Sequence, residues 1–152
     1  MPERPGENVK KPSPTPDAAM PEHTVRFRAR FAETDAMQVV YYAEYFVWFE
    51  VARTELFRAV GIPYSVVARE RGFHSPVVQA HADYKASARY DDEVAVKART
   101  TKVGRSSLQV DYEVRRLPDN EVLCTGHTVH VLVGEDGKAR EIPKDMRDKL
   151  AP

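Results

Sequence analysis

The chain has 152 residues, 42% of them hydrophobic, which fits one domain with a single core plus a tail. Lys+Arg and Asp+Glu balance at 23 each, and that zero formal charge argues against a dominant nucleic-acid surface. A single cysteine, Cys124, excludes an intrachain disulfide, and no apolar run approaches the roughly 20 residues that span a bilayer.

Six of the eleven prolines fall in residues 1–21, with only Met1, Val9 and Met20 as larger apolar companions. Such a stretch buries too little surface to offset its ordering entropy, so residues 1–23 read as a disordered Pro-rich tail. A docking peptide is the alternative reading of the tail. The folded domain is then 24–152. Its N-terminus shows no apolar h-region of a secretory signal, and the expected location is cytoplasmic.

From Thr24 onward, Val25, Phe27, Ala29 and Phe31 alternate with Arg26, Arg28 and Arg30, as in a strand with one wet face. Thr34 to Tyr41 read as a turn or loop. Tyr42, Tyr45, Phe46, Phe49, Ala52, Leu56, Phe57 and Val60 then recur at helical spacing, and this helix carries the only tryptophan, Trp48. Gly61 ends it, and Pro63 opens a short second helix to about residue 71. Four strand-like segments follow at about 76–86, 93–103, 106–116 and 121–133. Gly104 and Pro118-Asp119-Asn120 mark turns between them, and connections this short favour antiparallel hairpins. A last short helix covers about 143–150. The pattern predicts an α+β fold in which one long helix lies on a curved antiparallel sheet of about five strands. Exposed sheet edges make pairing with a second subunit plausible.

The segment from Glu33 to Tyr45 is the most informative. It sets Asp35 in a short loop between a strand and a helix start. Attack on a polarised carbonyl needs a base or nucleophile and donors for the developing oxyanion, and this junction offers both. By position alone, Asp35 reads more simply as a cap or turn residue. Glu50, in mid-helix, reads as a structural partner of Arg53 or of a strand residue. His127 and His130 are three apart on a strand and point to opposite faces, so they cannot jointly hold an ion; His81 is a candidate for the core. Cys124 reads as a core residue. No metal or cofactor is expected, and Gly-x-Ser-x-Gly and Gly-x-Gly-x-x-Gly motifs are absent.

Glu33-Thr34-Asp35-Ala36, then Val39-Val40-Tyr41-Tyr42, Tyr45 and Phe49-Glu50-Val51-Ala52-Arg53, resemble the signature of the hotdog-fold 4-hydroxybenzoyl-CoA thioesterase family. The Tol–Pal-associated short-chain acyl-CoA thioesterase branch is the nearest in pattern. Asp83-Tyr84, Ala88-Arg89-Tyr90-Asp91-Asp92-Glu93 and Gly104-Arg105-Ser106-Ser107 extend the likeness over about residues 24–133.

The resemblance implies a hotdog fold and an acyl-CoA thioesterase, active as a dimer or tetramer, with no nucleic acid and no membrane insertion. It puts the catalytic carboxylate on Asp35, as nucleophile or as general base. It puts an oxyanion donor on the backbone N–H of Tyr42, at a position where many relatives have histidine. Losing one such donor typically raises a barrier by roughly 3–4 kcal/mol. Gln38 stands where the family usually has glycine, which predicts an altered loop or a narrower pocket. Val40, Tyr41 and Tyr45 are expected to line the acyl pocket. Arg89, Arg105 and Ser106 are expected to meet the CoA phosphates and pantetheine. The alternative function is a non-catalytic module that binds acyl-CoA or an acyl-carrier protein.

Overall fold

The computed structural model describes residues 20–152. The first nineteen residues, which hold most of the Pro-rich tail, lie outside the described residues. The first strand, β1 (Glu22–Arg28), begins two residues before the expected boundary, because the Pro21 carbonyl already accepts from the Thr100 N–H (3.1 Å). A 3₁₀ turn, Phe31–Glu33, ends the expected strand early and leaves Phe31 exposed. The long helix α1 (Glu44–Ala59) and the short α2 (Tyr64–Arg71) follow. Then come β2 (Val77–Tyr84), β3 (Glu93–Val103), β4 (Ser107–Leu117), β5 (Glu121–Val131) and α3 (Lys144–Leu150). Gly72, at φ 66°, closes α2 in the left-handed conformation that glycine adopts without steric cost.

The strands form one antiparallel sheet in the order β1-β3-β4-β5-β2, so β3 to β5 are a meander flanked by β1 and β2. One row crosses all five strands on the helix side: Val25, Val96, Val114, Cys124 and Tyr84. Against that face α1 sets Tyr45, Trp48, Phe49, Ala52 and Leu56, whose spacing of three and four places them on one stripe. Fully burying a side chain of this size contributes roughly 1.5–3 kcal/mol. Gly126 of β5 permits the close approach. A Cβ there would stand 2.8 Å from Phe49 Cε2, and Phe49 instead stacks on Tyr112 at 4.3 Å.

The opposite row is polar: Glu22, Arg99, Asp111, His127 and His81. His81 therefore does not enter the core. A register shift between Val77 and Gln79 changes the parity of β2, and His81 stacks on His127 with ring centroids 5.3 Å apart. Cys124 is buried as read from its strand, His130 is buried while His127 takes the opposite face, and burial pushes the Cys124 thiol up to about 12. Glu50 is exposed, and Arg53 bonds to the Tyr112 hydroxyl (2.9 Å) rather than to Glu50.

Candidate active site

The turn that carries Asp35 is a miniature hairpin closed by a bridge between Thr34 and Val40. The Asp35 N–H donates to the Val39 carbonyl and the Gln38 N–H to the Asp35 carbonyl, both at 2.9 Å. Gln38 completes the turn at φ 62°, the left-handed region where a side chain is disfavoured by roughly 1–2 kcal/mol. Asp35 also holds its own turn, since Oδ1 accepts from the Met37 N–H at 2.8 Å. It does not cap α1, whose N-cap is Ala43 with no side-chain cap bond among the described residues.

Glu33, two residues away, has the same chemistry and a different task. It is buried, with Oε1 accepting from the Arg30 N–H (2.8 Å) and Oε2 from Trp48 Nε1 (2.7 Å). Its carbonyl accepts from the Tyr41 N–H (2.8 Å). The loop is thus tied to the first turns of α1 through both side chain and backbone. A buried tryptophan needs an acceptor for its indole N–H, and that need was the signal in the sequence for Glu33.

Ala88 makes the third tie. Its carbonyl accepts from the Val40 N–H (2.8 Å) and its N–H donates to the Tyr45 hydroxyl (3.2 Å). Ala29 holds the same crossover from the other side, exchanging backbone bonds with Asp91 and Asp92 (2.8 Å each). These contacts bring Arg89 and Tyr90 against the Asp35 turn. Together with Phe31, Thr34, Ala36 and Gln38 they line an open cleft of about 490 Å³. Phe31 and Tyr90 meet edge to face at its mouth, with centroids 5.8 Å apart.

Tyr42 is not in the lining of this cleft; it sits at the adjoining front of α1. The Tyr41 carbonyl accepts from the Glu44 N–H (2.9 Å), so the helical turn starts at Tyr41. Among the described residues, none accepts from the N–H of Tyr42 or of Ala43. A helix front with two open donors and no cap carries a partial positive charge suited to an anion. The Tyr41 ring packs on Tyr42 at 4.7 Å. Its phenol is held above the usual tyrosine range first by the hydrogen bond with Tyr42, and further by the Tyr42 and Asp35 charges.

The remaining expected site residues divide. Val40 and Tyr45 are buried and support the loop from the core, so neither is a free wall of the cleft. Arg105 and Ser106 are not brought to Asp35 within one protomer. Their hairpin is strapped to the C-terminal segment, with the Arg105 carbonyl accepting from the Ile142 N–H (2.8 Å) and the Ser106 carbonyl from the Leu132 N–H (2.8 Å). That segment meets the other end of α1, where Lys149 Nζ donates to the Gly61 carbonyl (3.4 Å). The two ends of a helix of this length are separated by roughly 24 Å.

At that far end lies a small apolar cavity of about 40 Å³, walled by Phe57, Ile62, Phe73, Leu108, Ile142 and Met146, with His130 at its edge. A chain of hydrogen bonds runs beside it. Arg53 donates to the Tyr112 hydroxyl (2.9 Å), which meets Thr128 Oγ1 (2.6 Å), which meets His130 Nε2 (2.7 Å). His130 Nδ1 lies 3.0 Å from the Ser75 carbonyl. A carbonyl only accepts, so Nδ1 carries the proton, Nε2 accepts from Thr128, and Thr128 accepts from Tyr112. Burial lowers the His130 pKa to about 4, with the Arg53 charge acting in the same direction.

The profile of the thioesterase-like superfamily matches residues 29–150, and the chain belongs to that superfamily. A putative esterase of Aquifex aeolicus is 33% identical over 82% of this chain and 94% of its own length. The acyl-CoA thioesterase YbgC of Haemophilus influenzae is 29% identical over 79% of this chain and 88% of its own. Among solved structures, a DHNA-CoA thioesterase from Staphylococcus aureus superposes with a TM-score of 0.75 at 33% identity, covering 79% of this chain and 80% of that one. The hotdog arrangement of helix and sheet agrees with these neighbours.

Proposed function

We propose that the chain hydrolyses acyl-CoA thioesters to a free acid and CoA, with Asp35 as nucleophile or general base. The observation that carries this reading is the junction itself. A carboxylate with one oxygen engaged in its own turn stands beside a helix front whose first two N–H groups lack acceptors. Attack on a thioester carbonyl forms a tetrahedral centre with negative charge on oxygen. Donors already fixed in place stabilise that charge without reorganising. Asp35 then acts in one of two ways. It adds to the carbonyl, expelling CoA thiolate and leaving a mixed anhydride that water cleaves, or it takes the proton of a water that adds directly. In either case the thiolate is released and the acid product forms.

In this reading Arg89, which lines the cleft, pairs with a phosphate of CoA. Arg105 and Ser106 join it only where a second subunit brings its own hairpin to the cleft. The reading includes such an oligomer. Strand β2 is an open sheet edge with Val77 and Val78 exposed, and α1 exposes Val47 and Val51. It also includes a cytoplasmic location, in keeping with a single buried thiol. No helix among the described residues is long and apolar enough to cross a membrane. Light scattering on protein from the cytosolic fraction is expected to give a dimer or tetramer. A monomer, or recovery only with membranes, removes that part of the reading.

The activity is tested by thiol release from acyl-CoAs of varied length and aromaticity. The purified protein is expected to turn over at least one of them, and Asp35→Asn to lose that turnover. Near-normal turnover by the variant overturns the assignment, and binding without thiol release by the native protein favours the non-catalytic module.

A further inference from the structure

Tyr84, the last residue of β2, lies on the helix side of the sheet in the row it shares with Cys124 and Val114. Its ring packs edge to face on Tyr45 (5.3 Å) and on Tyr42 (6.3 Å). Its hydroxyl, although the residue is 45% exposed, donates to the Tyr42 carbonyl at 2.7 Å. That carbonyl is available for a reason internal to the helix. The Phe46 N–H bonds three residues back, to the Ala43 carbonyl (3.1 Å), and not four back to Tyr42. Among the described residues, the Tyr84 hydroxyl is the partner that replaces it.

The Tyr42 carbonyl and the Ala43 N–H belong to one peptide plane. A donor on the oxygen fixes the rotation of that plane and polarises the N–H at its other side, since hydrogen bonds in a chain strengthen one another. The plane before it is fixed in the same manner: its carbonyl, of Tyr41, accepts from Glu44, and its N–H is that of Tyr42. The two open donors at the front of α1 are therefore each backed by a bond on the same peptide. One bond is local, and the other comes from a strand 42 residues away in sequence.

We propose that Tyr84 is a positioning residue of the oxyanion site, holding the Ala43 N–H as a second donor beside that of Tyr42. The inference rests on the thioesterase reading above. Tyr84 does not touch the reacting atoms; it acts through the peptide it holds.

Tyr84→Phe keeps both ring contacts and removes only the hydroxyl. Expected are a kcat for acyl-CoA hydrolysis lower by about 3- to 10-fold, the effect of one modest hydrogen bond, with KM within about twofold. The Ala43 amide resonance in ¹⁵N–¹H spectra is expected to move upfield in the variant, while the circular dichroism spectrum and the Tm stay as in the native protein. A general loss of structure would shift many amides and lower the Tm, so the local amide shift together with the kcat-specific loss separates positioning from scaffolding. An active native protein with kcat unchanged in Tyr84→Phe, or with an unmoved Ala43 amide, overturns this inference and leaves the thioesterase reading standing. A native protein that releases no thiol from any acyl-CoA overturns that reading and this inference with it.

Discussion

The two ends of α1 treat their polar groups in opposite ways. At the N-terminal end, two backbone donors face outward without a cap, and Asp35 keeps one oxygen outside its own turn. Towards the C-terminal end, each side chain from Arg53 to His130 has a hydrogen-bond partner in one chain that ends on the Ser75 carbonyl, and the neighbouring cavity is apolar. Unsatisfied buried groups are costly, so the second pattern is what stability alone produces. The first pattern gives up stabilisation that a capping Ser or Asp would supply, typically about 1 kcal/mol. This uncapped helix end, with its loop held by three separate ties, is what the proposed oxyanion site rests on.

Three perturbations sharpen this contrast, from the largest effect to the smallest. Asp35→Asn keeps an oxygen to accept from the Met37 N–H, so the turn persists while the charge is lost. A fall in kcat of about 10²- to 10⁴-fold is expected with an unchanged urea midpoint. A matching loss of stability would mean that Asp35 is a structural residue. Next, Glu33→Ala strips the acceptor from Trp48 Nε1 and from the Arg30 N–H. Roughly 2–3 kcal/mol of folding stability should go, read by urea denaturation. A loss well under 1 kcal/mol would show that the loop is held by its backbone bonds alone.

The effect that is smallest at neutral pH lies at the other end and appears only in acid. The folded state takes up a proton on His130 near pH 4, whereas the unfolded chain does so near 6.5. Between those values the unfolded state binds more protons. The contribution of neutral His130 is therefore complete above about pH 6.5 and is lost as the pH falls towards 4. The lowered carboxylates, among them Asp83 and Asp119, act below their ordinary 3.8 and leave this window to the histidine. Urea midpoints at pH 7, 5.5 and 4.5 should decline in the native protein and stay level in His130→Gln. Equal slopes in the two would place the acid sensitivity elsewhere.

Much of this architecture was legible because it is periodic. Alternation along β3 and β4, and the stripe from Tyr45 to Leu56, follow from the pitch of strand and helix. The fold class followed from their order. Parity along an interrupted strand was less secure: the shift at Val77/Gln79 turned His81 outward, and nothing in the residues marks it. Asp35 and Arg89 were singled out through their motif, and both line the same open cleft. Arg105 and Ser106 carry the right chemistry in a suggestive hairpin, yet no local pattern says which end of α1 that hairpin will reach. The positions of Tyr84 and Ala88 beside this junction were not legible for a related reason. Their contacts with Tyr42, Val40 and Tyr45 join segments more than forty residues apart and leave no periodic trace.

Gln38 bears on how the cost of changing such a loop is shared among its residues. A residue kept in the left-handed region without being glycine persists only where its surroundings over-determine it. Here they do, through the Thr34–Val40 bridge, the Glu33 anchor and the Ala88 crossover. Neighbours coupled in this manner do not contribute additively. The cost of any one substitution in the segment then depends on the state of the others, so Glu33, Gln38, Val40 and Ala88 act as one energetic unit.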